Sequence, residues 1–152
     1  MFKRFLAVFC AVVLGLSLAG CSVSNNAEQS KTFVANTNNM NIELTCFYIG
    51  DKMIRQNVKN TFDYSKLGLK KSDVKAKIDV FSKQYKGIKG IKHTVHITDK
   101  LLIENAEVDY TTLDVNKANK IPGVFFDKQA KKGFSMKKAE KALISEGFKE
   151  KK

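Results

Sequence analysis

The sequence predicts an α+β domain: an antiparallel sheet of about five strands, a three-stranded meander plus a hairpin, with two main helices packed on one face. Two observations lead to this prediction. Apolar and polar residues alternate with the period of a β-strand in five segments between residues 32 and 110. Two other segments, which begin near residues 72 and 135, repeat their apolar residues at helical spacing instead.

The predicted meander occupies the first half of the domain. Its strands are Thr32–Thr37, Asn41–Ile49 and Lys52–Tyr64, and Gly50-Asp51 forms a two-residue hairpin turn between the last two. The inward apolar side chains are Ile42, Leu44, Cys46 and Tyr48 on the second strand, and Ile54, Val58, Phe62 and Tyr64 on the third. The alternate positions are polar, which indicates a sheet with one solvated face.

The two predicted helices each have a start and a stop signal. Ser72 is expected to cap the first helix, and Gly87 ends it. Ser135 is expected to cap the second, which Gly147 stops. The inward residues are Val74, Ile78, Phe81 and Tyr85 in the first helix and Met136, Ala139, Leu143 and Ile144 in the second.

A second hairpin lies between the helices. One strand carries His93, Val95 and Ile97, Asp99-Lys100 forms the turn, and the other strand runs from residue 101 to 110. Residues 111–134 give no clear pattern beyond one helical turn, and Pro122 interrupts any longer element.

The N-terminus has the features of a bacterial lipoprotein signal. Two basic residues at positions 3 and 4 precede sixteen uncharged residues, from Phe5 to Gly20, a stretch that is too short to span a bilayer as a helix. Leu18-Ala19-Gly20-Cys21 follows the pattern of a lipobox, in which the Cys21 thiol receives diacylglycerol before cleavage. We therefore expect a signal peptide at 1–20, a lipidated tether at 21–31 and a single domain at 32–152, anchored on the extracytoplasmic face of a membrane.

Charge and composition narrow the expected partners. The net charge of +12 falls to +10 when Lys3 and Arg4 leave with the signal peptide, and Arg55 is then the one arginine. Nucleic-acid recognition relies on arginine, so we expect no nucleic-acid partner. A lysine-rich surface suits anionic lipid or wall polymer. Cys46 has no cysteine partner once Cys21 is lipidated, so we predict no disulfide and no cysteine-based metal site. We also expect no cofactor.

Five segments of the chain together resemble the YehR-like family of small bacterial lipoproteins. They are KTFVANTNN (31–39), GDKMIRQ (50–56), FSKQYKGIKGI (81–91), ENAEVDY (104–110) and AKKGFSMKKAEKALISEGFKE (130–150). The resemblance covers nearly the whole chain after the signal peptide and includes the lipobox. It implies a small α+β domain at the cell envelope, and it implies no catalytic or binding residues.

Candidate site residues are few. His93 and His96 are an odd number of positions apart on a strand, so their rings should point to opposite faces and share no metal ion. We interpret both as surface histidines. Asn105, Glu107 and Asp109 share a strand face that we expect to be solvated, because calcium-binding loops curve around the ion. Phe125 and Phe126 could contact a partner or ligand, although core packing is the stronger interpretation.

No catalytic signature occurs in the sequence: it lacks a serine nucleophile elbow, a phosphate loop and a dinucleotide-binding fingerprint. The favoured hypothesis is a non-enzymatic envelope protein that binds a small ligand or another envelope protein. Two alternatives stay open at this point, an accessory or structural protein without a small ligand and, less favoured, an envelope hydrolase.

Overall fold

A computed structural model describes residues 27–37, 39–122, 124, 126 and 130–152. The strands are β1 (Gln29–Asn36), β2 (Met40–Ile49), β3 (Lys52–Asp63), β4 (Ile91–Ile97), β5 (Leu101–Asp109), β6 (Phe134–Ser135) and β7 (Lys149–Glu150). The helices are α1 (Lys71–Lys83), α2 (Val115–Ala118) and α3 (Met136–Ser145). Two single turns of 3-10 helix, Ser65–Leu67 and Ala130–Lys132, complete the regular structure of the described residues.

The strands form one antiparallel sheet in the order β4-β5-β3-β2-β1-β7, and β6 pairs with β3. The α+β class, the meander and the hairpin agree with the prediction, but the described sheet has seven strands where about five were expected. The two additional strands, β6 and β7, contain two residues each. Two residues are too few to show an alternating pattern in the sequence. These strands form because their segments pair with β3 and β1 in the folded domain.

A β-bulge shifts the register between β2 and β3. Phe47 pairs with Arg55 and Tyr48 pairs with Met53, so Ile54 is the additional residue on β3. The bulge places Met53 in the core, where it is 5% exposed, and leaves Ile54 only partly buried. The simple alternation that assigns Ile54 to the inward face is therefore wrong at this position.

The helix ends match the prediction unevenly. Ser135 caps α3, since its Oγ accepts from the Lys138 amide at 3.3 Å. Ser72 does not cap α1: the helix begins one residue earlier, and the Ser72 hydroxyl donates to Asp73 Oδ1 at 3.3 Å. Ile144, expected to face inward, is 54% exposed. The predicted single helical turn in residues 111–134 is α2, and the Asp114 carboxylate caps it.

One continuous core lies on one face of the sheet. The register makes Leu44, Val58 and Ala106 cross-strand neighbours, and all three are buried. Val74 and Ile78 of α1 and the inward residues of α3 belong to the same cluster, so the helices cover this face. We call it the covered face, and we call the other side of the sheet, where the side chains are polar, the open face. In the described part of the chain, no helix is long and apolar enough to cross a membrane.

Candidate functional site

Two of the three site residues that the sequence suggested lie outside the described residues: Cys21, the expected lipidation site, and Phe125. Phe126 is described and is 1% exposed. Its ring packs edge-to-face on Tyr110, with centroids 6.2 Å apart, and its backbone forms two hydrogen bonds with the Asn119 side chain, at 2.7 and 2.8 Å. Phe126 is thus part of the core, which agrees with the core-packing interpretation and not with a ligand contact.

The two histidines lie on opposite faces of β4, as the strand pattern predicts. His96 is exposed on the open face. The interpretation of His93 as a surface residue was wrong, because its side chain is 3% exposed on the covered face. No group of three or more His, Cys, Asp or Glu side chains among the described residues is arranged to hold a metal ion.

His93 belongs to a buried polar cluster beneath α1. Its Nε2 lies 2.7 Å from Glu104 Oε1, and Asn60 Nδ2 donates to Glu104 Oε2 at 3.1 Å. The imidazole stacks on Tyr85, with centroids 4.5 Å apart, and Phe81 meets its edge at 6.3 Å. A buried carboxylate with two partners and aromatic walls holds β3, β4, β5 and α1 together, and solvent has little access to it.

Cys46 is a buried free cysteine, 1% exposed, as its place on the inward face of β2 predicts. Burial raises the pKa of its thiol to about 12, and the negative charge of Glu140 adds to this effect. A nucleophilic cysteine needs a lowered pKa, so this side chain is a core residue.

The open face brings polar side chains from four strands together in two straight rows. In the first row, Glu43 of β2 pairs with Lys59 of β3, Lys59 with Asn105 of β5, and Asn105 with Thr94 of β4. The second row, one pleat further along the strands, consists of Thr45, Asn57, Glu107 and Lys92. Alternation sends every member of both rows to the same side of the sheet.

A groove of about 340 Å³ lies along the two rows. The backbone of Val58 and Ala106 forms part of its lining, since these side chains point to the covered face. Four adjacent strands are about 14 Å wide, and rows two residues apart are separated by roughly 7 Å. The volume is at the lower end of the range that accommodates small ligands in proteins.

The charged groups at the ends of the groove are paired. Lys151 Nζ lies 2.8 Å from Glu43 Oε2, and Lys92 Nζ lies 2.8 Å from Glu107 Oε1. The hydrogen bond from Lys151, with a smaller contribution from the charge of Lys59, holds the pKa of Glu43 below its usual range. Both ends of the groove therefore present neutralised ion pairs.

The centre of the groove differs from its ends. Asn57 Oδ1 is buried and has no hydrogen-bond partner among the described residues. Lys59, the next outward residue of β3, is exposed and has no salt bridge to a described carboxylate. Exposed Asn105 lies beside it on β5, and exposed Thr94 follows Asn105 on the edge strand β4. One ammonium and two amides are thus available at the centre of the groove, with a hydroxyl at the edge of the sheet.

The three polar residues that the sequence analysis identified along one face of β5, Asn105, Glu107 and Asp109, have two different roles. Asn105 and Glu107 line the groove. Asp109 accepts from the hydroxyls of Thr111 and Thr112, at 2.6 and 2.9 Å, and thereby closes the turn after β5. The sequence analysis predicted polar outward positions on β3, to which Asn57 and Lys59 belong, but it did not identify the groove. Cross-strand register creates the groove, and a single strand's pattern does not contain that register.

Comparison with known proteins agrees with this fold. A family model described as "Protein of unknown function (DUF1307)" matches residues 29–149, which is most of the chain. The chain belongs to the DUF1307 family. The match begins at the first residue of β1 and ends at the first residue of β7, so the family model covers the sheet up to Lys149, including both rows of the groove.

Relatives of this DUF1307 protein carry lipoprotein names. "Uncharacterized lipoprotein Lmo0207" of Listeria monocytogenes is 34% identical over 151 residues, 99% of this chain and 97% of the relative. "Uncharacterized lipoprotein YehR" of Escherichia coli K12 is 33% identical over 98% of this chain and 97% of the relative. The resemblance to YehR-like proteins inferred from the five segments is confirmed.

Two solved structures share the fold. The NMR structure of E. coli YehR superposes with a TM-score of 0.68 at 31% identity, over 83% of this chain and 92% of that chain. An NMR structure of a protein from Streptococcus pneumoniae TIGR4 has a TM-score of 0.59 at 16% identity, over 91% of this chain and 94% of that chain. The second likeness concerns the fold alone.

Proposed function

We propose that this DUF1307 protein is a non-enzymatic binding protein, anchored through lipid on Cys21 at the extracytoplasmic face of a bacterial membrane, and that its ligand lies in the groove of the open face. The basic start, the short apolar run and the lipobox support the anchor. Relatives that are named lipoproteins and align over nearly their whole length also support it.

The observation that carries the binding role is the unpaired centre of the groove. Leaving a buried polar atom without a partner costs about 1–3 kcal/mol, and the Asn57 side chain carries such an atom. Lys59 beside it forms no salt bridge with a described carboxylate and acts on Glu43 only through its charge, while Lys92 and Lys151 are paired at 2.8 Å. A ligand with hydrogen-bonding groups would satisfy Asn57, and an acidic group on the same ligand would pair with Lys59.

The available groups define the chemical class of that ligand. Amide and hydroxyl side chains exchange hydrogen bonds with hydroxyl and acetamido groups, and a lysine ammonium pairs with a carboxylate. Wall saccharides that carry acetamido groups and a carboxylate combine these three features, and an envelope protein would meet them. We therefore assign the groove to an acidic amino-sugar fragment of the cell wall.

The carboxylates of the groove support a non-enzymatic role. A general acid in hydrolysis needs a raised pKa, whereas Glu43 has a lowered one. Glu107 is held by both Lys92 and Arg55, whose Nη1 lies 3.8 Å away. Two carboxylates that are neutralised by neighbouring cations are suited to holding the groove's shape.

An accessory role without a small ligand has less support. The exposed large apolar side chains of the described residues are Ile49, Leu67, Val80 and Ile144. They belong to β2, a 3-10 turn, α1 and α3, so they are distributed over four separate elements. A protein-docking surface would instead concentrate such side chains in one patch.

Isothermal titration calorimetry on the full-length protein, purified from membranes in detergent, tests this function. The probe is an N-acetylmuramic acid-containing disaccharide. The control ligand is di-N-acetylglucosamine, which carries acetamido groups but no carboxylate. We expect binding of the acidic sugar, and roughly tenfold to hundredfold weaker binding by Lys59→Gln, because a hydrogen bond to a charged group contributes about 1.5–3 kcal/mol.

The matched control is Lys83→Gln, a change of the same kind on the exposed surface of α1. It should leave binding unchanged. If neither sugar binds, or if both lysine variants weaken binding equally, the groove is not the site and the proposed function is wrong.

A further inference from the structure

We propose that one end of the domain docks on anionic phospholipid headgroups. This end, here called the basic end, carries Lys52, Lys131, Lys132, Lys137 and Lys138 around the turn between β2 and β3. The inference rests on the lipid anchor of the proposed function, but it does not depend on what the groove binds.

The chain enters the domain at the basic end. Gln29, the first residue of β1, pairs with Tyr48, two residues before the turn at Gly50. Glu28, one residue earlier, contacts Arg55 at 3.2 Å. From Cys21 to Glu28 the chain spans at most about 25 Å, even when fully extended. An anchor on Cys21 therefore holds this end of the sheet within about 25 Å of the membrane.

Three hydrogen bonds fasten the start of α3 to the same turn. The Asp51 carbonyl accepts from the Met136 amide at 2.7 Å. The Asp51 carboxylate accepts from the Lys137 amide and from the Ser135 hydroxyl, each at 2.8 Å. These bonds bring Lys137 and Lys138 next to Lys52, and they engage both oxygens of the acidic side chain at the centre of the basic end.

The remaining two lysines, Lys131 and Lys132, reach the basic end because Gly133 packs against Lys52. A Cβ on Gly133 would lie 2.6 Å from Lys52 Cγ and 2.8 Å from Lys52 Cε, so the Lys52 stem lies directly across this glycine. Lys131 and Lys132 immediately precede it and are exposed. Two chain segments that are far apart in sequence therefore place exposed lysines at the same end of the sheet.

The position of Lys137 and Lys138 points to an anionic partner. Both lie in the first turn of α3, where the helix dipole is positive. The Asp51 carboxylate compensates that dipole, since it accepts from the Lys137 amide at 2.8 Å. The exposed Lys137 side chain adds a positive charge that attracts an anionic surface.

The opposite end of the domain supplies matched control lysines. Asp63, the last residue of β3, pairs with Leu101, next to Lys100. From Lys52 to Asp63 the strand is about 36 Å long, several times the Debye length of about 8–10 Å at physiological salt. Lys100 and nearby Lys66 therefore lie outside the electrostatic range of a membrane that the basic end touches.

Lysine acylation read by mass spectrometry tests the docking. The lipidated full-length protein is reconstituted into phosphatidylcholine vesicles and into vesicles that also contain phosphatidylglycerol. We expect Lys52, Lys131 and Lys137 to react at least threefold more slowly on the anionic vesicles, and Lys100 and Lys66 to react equally on both. High salt, which screens exposed charges, should remove the protection.

Equal reactivity of the basic end on both vesicles would overturn the proposal, as would protection of Lys100 instead. Protection that appears on neutral vesicles only after soluble teichoic acid is added would also overturn it, since the partner would then be a wall polymer. Failure of the lipid anchor would give a different result. The protein would dissociate from neutral vesicles, as we expect of a Cys21→Ala variant that cannot be lipidated. The double variant Lys131→Glu/Lys137→Glu should lose the protection of Lys52, and Lys83→Glu/Lys100→Glu should keep it.

Discussion

The two faces of the sheet differ although the same strands build both. On β2, Leu44 and Cys46 are each 1% exposed beneath the helices, while Glu43 and Thr45 line the groove on the other side. On the covered face, the Tyr110 hydroxyl donates to Gln56 Oε1 at 2.7 Å, and Glu104 bonds both His93 and Asn60. Among the described residues, the open face leaves Asn57 Oδ1 without a hydrogen-bond partner and Lys59 without a salt bridge, and on the covered face Asn60 Oδ1 also lacks a partner. The covered face accounts for stability, and the open face is where binding is proposed.

Thiol reactivity gives the largest expected contrast between the faces. A pKa of about 12 for Cys46, against an ordinary value of 9.0, corresponds to a roughly thousandfold smaller thiolate fraction. Iodoacetamide should therefore label Cys46 about a thousandfold more slowly than an exposed thiol at mildly alkaline pH, and denaturant should restore labelling.

The matched control for thiol reactivity is Thr45→Cys in a Cys46→Ala background, which moves the thiol by one residue to the open face. It should react at an ordinary rate in the folded protein. Equal rates at the two positions would mean that β2 does not separate a covered from an open face.

Core truncation should give the next largest difference. Leu44→Ala removes a fully buried side chain and leaves a cavity, so we expect a loss of about 2–5 kcal/mol in the free energy of unfolding. Thr94→Ala, on the open face of β4, should change it by less than about 0.5 kcal/mol. Urea denaturation measures both, and a similar loss in the two variants would contradict the assignment of the faces.

The polar cluster under α1 should contribute less than the apolar core. Glu104→Ala leaves His93 and Asn60 without their shared partner, and we expect a loss of about 1–3 kcal/mol. Glu104→Gln keeps an acceptor for Asn60 and should lose less. Thermal unfolding of the two Glu104 variants separates the contribution of hydrogen bonding from that of side-chain packing. Equal losses of stability in the two variants would show that the hydrogen bonds of Glu104 do not contribute.

Changes in the groove should have the smallest effect on stability. Asn57→Ala removes a buried atom that lacks a partner, so the free energy of unfolding should fall by less than about 0.5 kcal/mol or rise. The same variant should weaken binding of the acidic amino sugar. A large loss of stability in urea denaturation would assign Asn57 to the scaffold and not to the binding surface.

The predictable part of the fold is the part with local signals. Alternation located the five long strands, and helical spacing identified the buried residues of α1 and α3. The bulge at Ile54, the two-residue strands and the inward position of His93 were not found, because each depends on contacts between distant segments. The same reason applies to the groove: outward polar residues were visible on each strand, but only the register aligns them in rows.

The most direct test of the binding assignment is an NMR titration of the full-length protein in detergent micelles with the acidic amino-sugar disaccharide. We predict that the largest shift changes occur at the amides of Thr45, Asn57, Lys59 and Asn105, all on the open face. Changes concentrated at Val80 and Ile144, which are exposed on the helices of the other side, would contradict the account, as would a spectrum that the sugar does not change.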